Sequence, residues 1–173
     1  FAESHAITPS DLDIAARNGC TITHIFETHR NEDYAIGSLP LAARCGAGIF
    51  HGSGMDFAYG TSVHDGATFR FGSLSLQVLE TPGHTEESIS LVVRDMAGGD
   101  VPLLVFSGDT IFAGDVARTD FFGDDRKGEM AQKIYDSIMR IFSLGDGVIL
   151  CPAHGAGSVC GGDIADRPFT TVG

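Results

Sequence analysis

The sequence predicts a single mixed α/β domain, of the α+β kind, and three observations support this prediction. The chain has 173 residues, which is the length of one globular domain. Apolar residues make up 43% of the chain, enough to bury a core without disulfide bonds or a structural metal. Stretches with a period of two residues alternate with stretches that repeat every three or four residues, so both strands and helices are expected.

The N-terminal part is predicted to contain two short helices, each followed by a strand. The first helix begins at Pro9 and ends at Asn18–Gly19, because an asparagine–glycine pair favours a left-handed helix end. The β-branched and apolar segment Cys20–Phe26 predicts a buried strand. A second helix over Leu39–Cys45 and a brief strand over Gly48–His51 follow it.

The central part is predicted to form a hairpin and two further strands. Apolar and polar residues alternate over Phe69–Phe71 and again over Leu74–Val78, and Gly72–Ser73 lies between them, which is a hairpin pattern. The next two apolar segments, Ser88–Val93 and Pro102–Phe106, are predicted to be strands as well.

The C-terminal part predicts the longest helix and one last core strand. Apolar residues recur every three or four positions over Gly128–Leu144, with charged residues between them, which indicates an amphipathic helix. Val148–Leu150 predicts the strand. The sequence then becomes rich in glycine, so we expect a domain over residues 1–160 and a tail, or the start of a linker, over residues 161–173.

Charge and composition exclude several classes of protein. The formal net charge of −12 disfavours nucleic-acid binding, because phosphate backbones are held by clustered Lys and Arg. The longest apolar segments are far shorter than the roughly 20 residues that cross a bilayer, so no membrane association is expected. The four cysteines are isolated, with no C-x-x-C pair, which is typical of a reducing compartment. We therefore expect a cytoplasmic protein.

Three histidines and one aspartate stand where predicted strands end. They are His24, His84, Asp109 and His154. Strand ends at one edge of a sheet converge, and imidazole with carboxylate is a ligand set that divalent transition metals accept. Asp109 directly follows a buried apolar segment, where a carboxylate is costly unless a cation or several donors satisfy it. The pattern therefore predicts a metal site.

Four segments resemble, in order and spacing, the metal-binding motifs of the metallo-β-lactamase superfamily. They are Thr23–His29, Thr81–Thr85, Phe106–Phe112 and Pro152–Gly157. Within the superfamily the sequence resembles persulfide dioxygenases most, including forms fused to rhodanese domains, with glyoxalase II thioesterases as close relatives. The resemblance implies an αββα sandwich with the metal in a shallow groove at one sheet edge. It also implies that N-terminal strands of this sandwich are missing, because only 23 residues precede His24.

The first segment departs from the superfamily motif H-x-H-x-D-H. With the motif aligned on His24, Phe26 takes the place of the second histidine and Thr28 takes the place of the aspartate. A phenyl ring has no donor atom, and a threonine hydroxyl is neutral where a second metal needs an anion. We therefore expect one metal ion rather than two, which counts against a two-zinc hydrolase.

The resemblance to persulfide dioxygenases implies a specific ligand set. One Fe(II) per chain would be held by His24, His84 and Asp109, which we expect to be the catalytic residues as well; Zn(II) is the alternative metal. Two imidazoles and one carboxylate leave three coordination positions open, enough for a substrate sulfur and O₂ to bind side by side.

Three further residues are expected near the metal. His29 and His154 match the second-metal ligands of two-metal relatives, so they either orient a ligand, contact the substrate, or form a weak second metal site with Asp109. Arg118 lies in the segment Gly114–Asp120, which resembles the family loop after the aspartate ligand. It is expected to pair with Asp109, with a substrate carboxylate, or with a surface carboxylate.

These expectations lead to one favoured function and two alternatives. The favoured function is an iron-dependent oxidoreductase that oxidises a low-molecular-weight persulfide, such as glutathione persulfide, to sulfite and thiol with O₂. The alternatives are a metal-dependent thioesterase of the glyoxalase II type and a non-catalytic domain that binds a sulfur carrier or a partner domain. We further expect a homo-oligomer and a rhodanese domain in the full-length protein. Metal analysis separates the three functions, since they require iron, two zinc ions or no metal.

Overall fold

A computed structural model describes residues 9–30 and 36–173 and arranges them in four layers. Helices α1 (Pro9–Arg17) and α2 (Ser38–Cys45) cover the outer face of a three-stranded sheet. A six-stranded sheet packs on the inner face of the first sheet, and helix α3 (Asp124–Phe142) covers the far side of the second sheet. This order confirms the mixed α/β prediction and the αββα sandwich that the family resemblance implies.

The two sheets differ in strand direction. The three-stranded sheet is parallel and has the order β1-β2-β3. The six-stranded sheet has the order β4-β5-β6-β7-β8-β9 and is antiparallel except where β7 and β8 run parallel. The strands are β1 (His24–Glu27), β2 (Gly48–Gly52), β3 (Thr61–Val63), β4 (Thr68–Phe71), β5 (Leu74–Glu80), β6 (Ile89–Asp95), β7 (Pro102–Gly108), β8 (Ile149–Pro152) and β9 (Thr170–Thr171).

Apolar contacts hold the four layers together. Strands place alternate side chains on opposite faces, so β5 and β6 can contribute to the contacts on both sides of their sheet. Between the two sheets the buried residues are Val63, Leu76, Val78, Ile89 and Leu91. Under α3 they are Leu79, Val92, Val105, Ile111, Ile141, Val148 and Leu150, and under the outer helices they are Ile25, Leu41, Ala47 and Ile49.

Strand β1 is shorter than its sequence indicates. The β-branched segment predicts a strand from Cys20, but β1 begins at His24. The neighbouring strand β2 begins at Gly48, which pairs with His24, so residues 20–23 have no ladder partner there. Strands β3 and β9 were not predicted, because such short segments are held by pairing with a neighbour more than by their own residue pattern.

Helix α3 begins four residues before the predicted Gly128, at Asp124. Asp124 and Asp125 occupy its first turn, where negative charge interacts favourably with the helix dipole. Its buried side is formed by Met130, Ile134, Ser137 and Ile141, in agreement with the amphipathic pattern. No helix in the described ranges combines the length and the apolar character needed to cross a membrane.

The residues after 160 pack against the domain. Strand β9 pairs with β8, and Val172 contacts the apolar cluster under α3. Ile164 is buried in a cluster with Phe112 and Ile134. The expected tail or linker over residues 161–173 is therefore corrected to a part of the fold, because these apolar side chains gain burial there. A further domain after residue 173 stays a prediction.

Candidate metal site

Two histidines and one aspartate meet at one edge of the sheets. The carboxylate oxygen Oδ2 of Asp109 lies 3.5 Å from Nε2 of His29 and 3.5 Å from Nε2 of His84. One ligand atom from each residue lies within 4.8 Å of the other two. All three residues are buried, with at most 3% of each exposed. This is a compact, solvent-shielded group of metal-ligand atoms.

The ends of four strands place the residues of this region. His29 follows β1 and His84 follows β5, each after a short loop, and Asp109 comes directly after β7. His154 follows β8 and contacts Asp109 through Nδ1, at 2.7 Å from Oδ1 and 2.8 Å from Oδ2. The structure thus brings the side chains of His84, Asp109 and His154 together at the strand ends, as the sequence predicts.

Two glycines allow the backbone to approach closely enough for these residues to meet. Gly108 has a φ of +54°, and a Cβ atom there would lie 2.8 Å from the Cβ of Thr28. Gly83 has a φ of +139°, and a Cβ there would lie 2.4 Å from the backbone nitrogen of Ile134 in α3. Both positions combine an unfavourable backbone conformation for other residues with a steric clash. The neighbours His84 and Asp109 therefore depend on these glycines for their placement.

Buried hydroxyl groups connect the loops that carry His84 and Asp109. Thr110 Oγ1 donates to Thr81 Oγ1 at 3.1 Å, and Thr81 Oγ1 shares a hydrogen bond of 2.9 Å with Ser90 Oγ. Because buried polar groups are costly when unpaired, this network holds the two loops in one arrangement.

The hydrogen bonds of His84 determine which ring nitrogen faces Asp109. Its Nδ1 lies 3.1 Å from the carbonyl oxygen of Arg118, which can only accept, so Nδ1 carries the proton. Burial lowers the pKa of His84, and the nearby His29 lowers it further, which favours the neutral ring. Its Nε2 then presents a lone pair to a carboxylate oxygen 3.5 Å away. Such an arrangement is repulsive without a cation between the two atoms, so it fits a metal ligand.

The Asp109 carboxylate is held in its charged form. Burial by itself raises the pKa of this carboxyl, but hydrogen bonds from His154 and His29 outweigh burial and hold the pKa well below its usual range. An ionised carboxylate with two imidazoles suits Fe(II) and Zn(II). The side chains present therefore fit a divalent transition-metal ion held by His29, His84 and Asp109.

His24 does not join this group, and its predicted role as a ligand is corrected. It is the first residue of β1 rather than a residue after the strand, so about 10 Å of extended chain separates it from Glu27 at the other end. Its ring stacks on Phe50 at 5.2 Å and meets the edge of Phe71 at 5.0 Å. Within the parts of the chain that the structure describes, His24 belongs to no cluster of three potential ligands.

His29 lies in the position beside His84 and Asp109 that was expected for His24. It was expected to orient a ligand or to bind a second metal, whereas the structure places it beside His84 and Asp109. The sequence carries a signal for this: the segment from His29 to Tyr34, H-R-N-E-D-Y, has the spacing of H-x-H-x-D-H with its first histidine and its aspartate intact. The motif therefore aligns five residues later, and Phe26 and Thr28 are not motif positions. Residues 31–35 lie outside the described part of the chain.

The Arg118 side chain does not contact Asp109 and pairs with Asp120 instead. Its guanidinium forms two hydrogen bonds with Asp120, at 2.6 and 2.9 Å, and lies over the ring of Phe121. Of the three partners expected for Arg118, the surface carboxylate is therefore the one observed, and it belongs to Asp120, whereas the alternative pairing with Asp109 is not formed. Arg118 contributes to the site through its backbone carbonyl, which accepts the hydrogen bond from His84.

Comparison with known proteins identifies the family. The model of the metallo-beta-lactamase superfamily matches residues 2–154, which is most of the chain. The chain belongs to the metallo-β-lactamase superfamily. This assignment confirms the resemblance inferred from the four motif segments.

Three relatives show how far the similarity extends. A metallo-beta-lactamase structure from Staphylococcus aureus subsp. aureus COL is 33% identical, with a TM-score of 0.88, over 98% of this chain and 52% of that chain. ETHE1 from Myxococcus xanthus is 31% identical, with a TM-score of 0.74, over 94% of this chain and 64% of that chain. A hydroxyacylglutathione hydrolase from Rhizobium etli is 35% identical over 59% of this chain and 39% of its own length. The chain thus spans less than two thirds of each of these metallo-β-lactamase superfamily relatives.

Proposed function

We propose that this chain is the metal-binding domain of a mononuclear non-haem iron sulfur dioxygenase. Its substrate would be a low-molecular-weight persulfide, such as glutathione persulfide, and its products sulfite and the thiol. The observation that supports this function is the group of His29, His84 and Asp109, since two histidines and one carboxylate are the ligand set of non-haem Fe(II) oxygenases. The resemblance to persulfide dioxygenases carries over with His29 in the place first given to His24.

The ligand residues would set the charge and the shape of the centre. Asp109 contributes one negative charge, so a bound divalent ion would retain positive charge that attracts an anionic persulfide sulfur. His84 stays neutral because burial and His29 lower its pKa, which keeps a lone pair on Nε2 available. When bound, Fe(II) supplies the redox chemistry with O₂ that this domain's side chains lack.

Neighbouring residues would keep these ligands oriented. His154 hydrogen-bonds to both carboxylate oxygens of Asp109 and thereby limits rotation of the carboxylate. The ring of Phe121 meets the edge of His84 at 4.9 Å and shields that side of the imidazole. His84 is also fixed at Nδ1 by the Arg118 carbonyl oxygen.

The overall reaction balances with one water molecule. The outer sulfur of the persulfide gains both oxygen atoms of O₂ and one oxygen atom of water, and the S–S bond breaks. The sulfur that was bonded to carbon leaves as the thiol, and the oxidised sulfur leaves as sulfite with release of two protons. Oxygen is the oxidant and no other reductant is required.

Anaerobic reconstitution with Fe(II), followed by oxygen uptake and sulfite detection with glutathione persulfide, tests the proposed function. We expect about one iron per chain and persulfide-dependent oxygen uptake. His84→Ala and Asp109→Ala should abolish both, whereas the matched control His24→Ala should retain iron. Oxygen uptake that survives the loss of His84 or Asp109 would contradict the proposal.

A metal-dependent thioesterase is the second candidate. It is favoured by the 35% identity to the hydroxyacylglutathione hydrolase from Rhizobium etli. Zinc-loaded protein should then hydrolyse a glutathione thioester without oxygen, and iron-loaded protein should form no sulfite from a persulfide. Protein that binds no metal would instead support a non-catalytic domain that binds a sulfur carrier or a partner domain.

Partners and compartment follow from the same proposal. The small-molecule persulfide and O₂ would be the ligands of the protein. It would bind neither nucleic acid nor membranes, and it would act in the cytoplasm. A homo-oligomer and an adjoining rhodanese domain are part of the proposal too. Sedimentation of the full-length protein and its subcellular fractionation test these points.

A further inference from the structure

We propose that Glu87 is a positioning residue of the candidate metal site, which holds the ligand His29 in place relative to the ligand His84. Glu87 is buried, with 3% of the residue exposed. Its Oε1 accepts a hydrogen bond of 2.8 Å from the backbone amide of Arg30, the residue directly after His29. The inference rests on the metal ligands of the proposed function and is independent of the substrate.

The segment that carries His29 is held on both sides by one neighbouring stretch of chain. The carbonyl oxygen of Thr28 accepts from the amide of Ile89 at 2.7 Å, and the amide of Arg30 donates to Glu87. These two hydrogen bonds act on the peptide planes directly before and after His29. Because the two flanking peptide planes set the direction of a side chain, the bond to Glu87 helps to aim the imidazole.

Glu87 belongs to the loop that also carries His84, three residues earlier. Buried hydroxyl groups hold this loop in one conformation. The amide of Thr85 donates to Ser88 Oγ at 3.2 Å, and the hydroxyl groups of Thr85 and Ser88 share a hydrogen bond of 2.7 Å. His84 and Glu87 are therefore fixed relative to each other, and the Glu87 carboxylate connects His29 to the same loop.

The end of β2 fixes the backbone of Glu87. A Cβ atom at Gly52 would lie 1.8 Å from the carbonyl oxygen of Glu87, and a Cβ atom at Gly54 would lie 2.5 Å from the carbonyl oxygen of Glu86. Only residues without a side chain allow two backbones to approach this closely. The carboxylate of Glu87 therefore extends toward the end of β1 from a backbone with little freedom to move.

The metal site depends on accurate placement of His29. Its Nε2 and the Nε2 of His84 each lie 3.5 Å from Oδ2 of Asp109, and one ion has to bind all three atoms at about 2.0–2.2 Å. Without the Glu87 carboxylate, the Arg30 amide loses this acceptor, and its peptide plane can turn toward another one. The imidazole of His29 would turn with it, which weakens metal binding without removing a ligand.

Titration of the whole chain with Co²⁺ tests this role, because the visible absorption of the ion depends on the number and geometry of its ligands. We expect Glu87→Leu to weaken Co²⁺ binding by at least about tenfold and to change the spectrum. Glu87→Gln keeps an oxygen acceptor on a side chain of the same length and should bind within about threefold of the parent value. Glu86→Leu is the matched control: it removes the adjacent carboxylate, which pairs with Arg126, and should also stay within about threefold.

Glu87→Asp separates the hydrogen bond from the charge. It keeps a carboxylate but shortens the side chain by one methylene, so it should bind Co²⁺ more weakly than Glu87→Gln does. Hydrogen exchange of the Arg30 amide, followed by NMR on the metal-free chain, gives a readout that needs no metal. Exchange should be slow in the parent protein and in Glu87→Gln, and faster in Glu87→Asp and Glu87→Leu. If Glu87→Leu does not fold, the comparison of Asp with Gln still decides the question.

A double-mutant cycle shows whether Glu87 acts through His29. In the His29→Ala background, Glu87→Leu should change the remaining Co²⁺ affinity by less than about twofold, because the ligand that it positions is gone. Equal losses in both backgrounds, tighter binding by Glu87→Asp than by Glu87→Gln, or parent-like binding by Glu87→Leu would overturn the role of Glu87 alone. A parent protein that binds no metal through His29 and His84 would overturn the metal site as well, so the two failures are distinguishable.

Discussion

The imidazole of His84 donates its Nδ1 proton to the backbone carbonyl oxygen of Arg118, at 3.1 Å. This hydrogen bond turns Nε2 toward Asp109 and so decides which nitrogen is available as a ligand. The amide of the same Arg118 donates to the carbonyl oxygen of Cys160. The backbone of Arg118 therefore joins the segment around Cys160 to the candidate metal site, while its guanidinium pairs with Asp120.

Substitution of the Arg118 side chain should leave metal binding intact. In Arg118→Ala the backbone carbonyl that accepts from His84 remains. The exposed pair with Asp120 and the contact of the guanidinium with the Phe121 ring are lost. Iron content after reconstitution should therefore equal that of the parent protein. Calorimetric titration with metal provides the measurement, with Asp120→Ala as the control for the broken ion pair. A loss of metal in Arg118→Ala alone would assign the guanidinium a direct role.

Substitution of His29 should have a much larger effect than substitution of His24. His29→Ala removes one of three ligand groups, and we expect metal affinity to fall by at least about a hundredfold. His24→Ala changes a ring packed among phenylalanines and should leave the metal affinity within about threefold of the parent value. Metal affinity by competition with a chelating dye gives the comparison. Equal losses in both variants would refute the placement of the metal at His29.

The metal-free chain should lose stability as the pH falls below about 6.5, the ordinary pKa of histidine. Burial lowers the pKa of folded His84, so the unfolded chain takes up this proton at a higher pH than the folded chain does. Unfolding is then favoured by up to about 1.4 kcal/mol per pH unit for this proton. The lowered pKa of Asp109 acts in the same direction at lower pH. Its ionised carboxylate stabilises the folded chain above about pH 3.9, the ordinary pKa of aspartate, and this stabilisation is lost as the pH falls below that value.

Urea unfolding of the metal-free chain between pH 7 and pH 5 measures this dependence. His84→Gln removes the titrating ring, so we expect a smaller slope of unfolding free energy against pH than in the parent protein. His64→Gln, which changes an exposed histidine, is the matched control and should keep the parent slope. An identical slope in all three proteins would show that His84 does not titrate as its burial implies.

Gly83→Ala should disturb the site and destabilise the fold. The added Cβ would lie 2.4 Å from Ile134, at a φ of +139° that side chains rarely adopt. We expect a loss of at least about 2 kcal/mol in the free energy of unfolding, together with weaker metal binding at the adjacent His84. Gly128→Ala in α3 is the opposite control: nothing lies near its Cβ, and it should stabilise the helix by about 1 kcal/mol. Thermal and urea unfolding measure the stability of both variants. Equal changes in the free energy of unfolding would contradict this prediction.

Tyr59→Phe should destabilise the end of β1. The Tyr59 hydroxyl lies 3.1 and 3.0 Å from the two carboxylate oxygens of Glu27, which is buried. Burial and the negative charge of Glu27 raise the pKa of Tyr59 to about 12, so the phenol stays protonated and donates. Its removal should cost about 1–3 kcal/mol of unfolding free energy. Tyr135→Phe, which changes an exposed tyrosine, is the control and should change the free energy of unfolding by less than about 0.5 kcal/mol. Urea unfolding measures both variants, and an equally small change in Tyr59→Phe would argue against the hydrogen bond with Glu27.

Local patterns were sufficient for most elements of this fold. The amphipathic period of α3 and the alternation of apolar and polar residues over Leu74–Val78 each reflect one buried face. Both elements are present, and α3 begins four residues earlier than predicted. His84 and Asp109 were identified correctly as neighbours because each follows an apolar strand whose end is visible in the sequence. Strands β3 and β9 escaped prediction because their formation depends on a neighbouring strand.

The choice between His24 and His29 shows why local patterns do not decide the rest. Both flank one short β-branched segment, and the sequence alone places the strand too early. The start of β1 is set by its pairing with β2, which leaves His24 at the far end among aromatic rings and His29 at the site.

The sequence by itself determined the alternation of strands and helices and the residue types available for a metal site, since both are local properties. Only the tertiary structure decided which side chains meet. The Arg118 backbone beside His84, and Cys160 beside Asp109, come from loops that are distant along the chain. Such contacts depend on sheet pairing and on close backbone approach at glycines, and those are properties of the assembled fold.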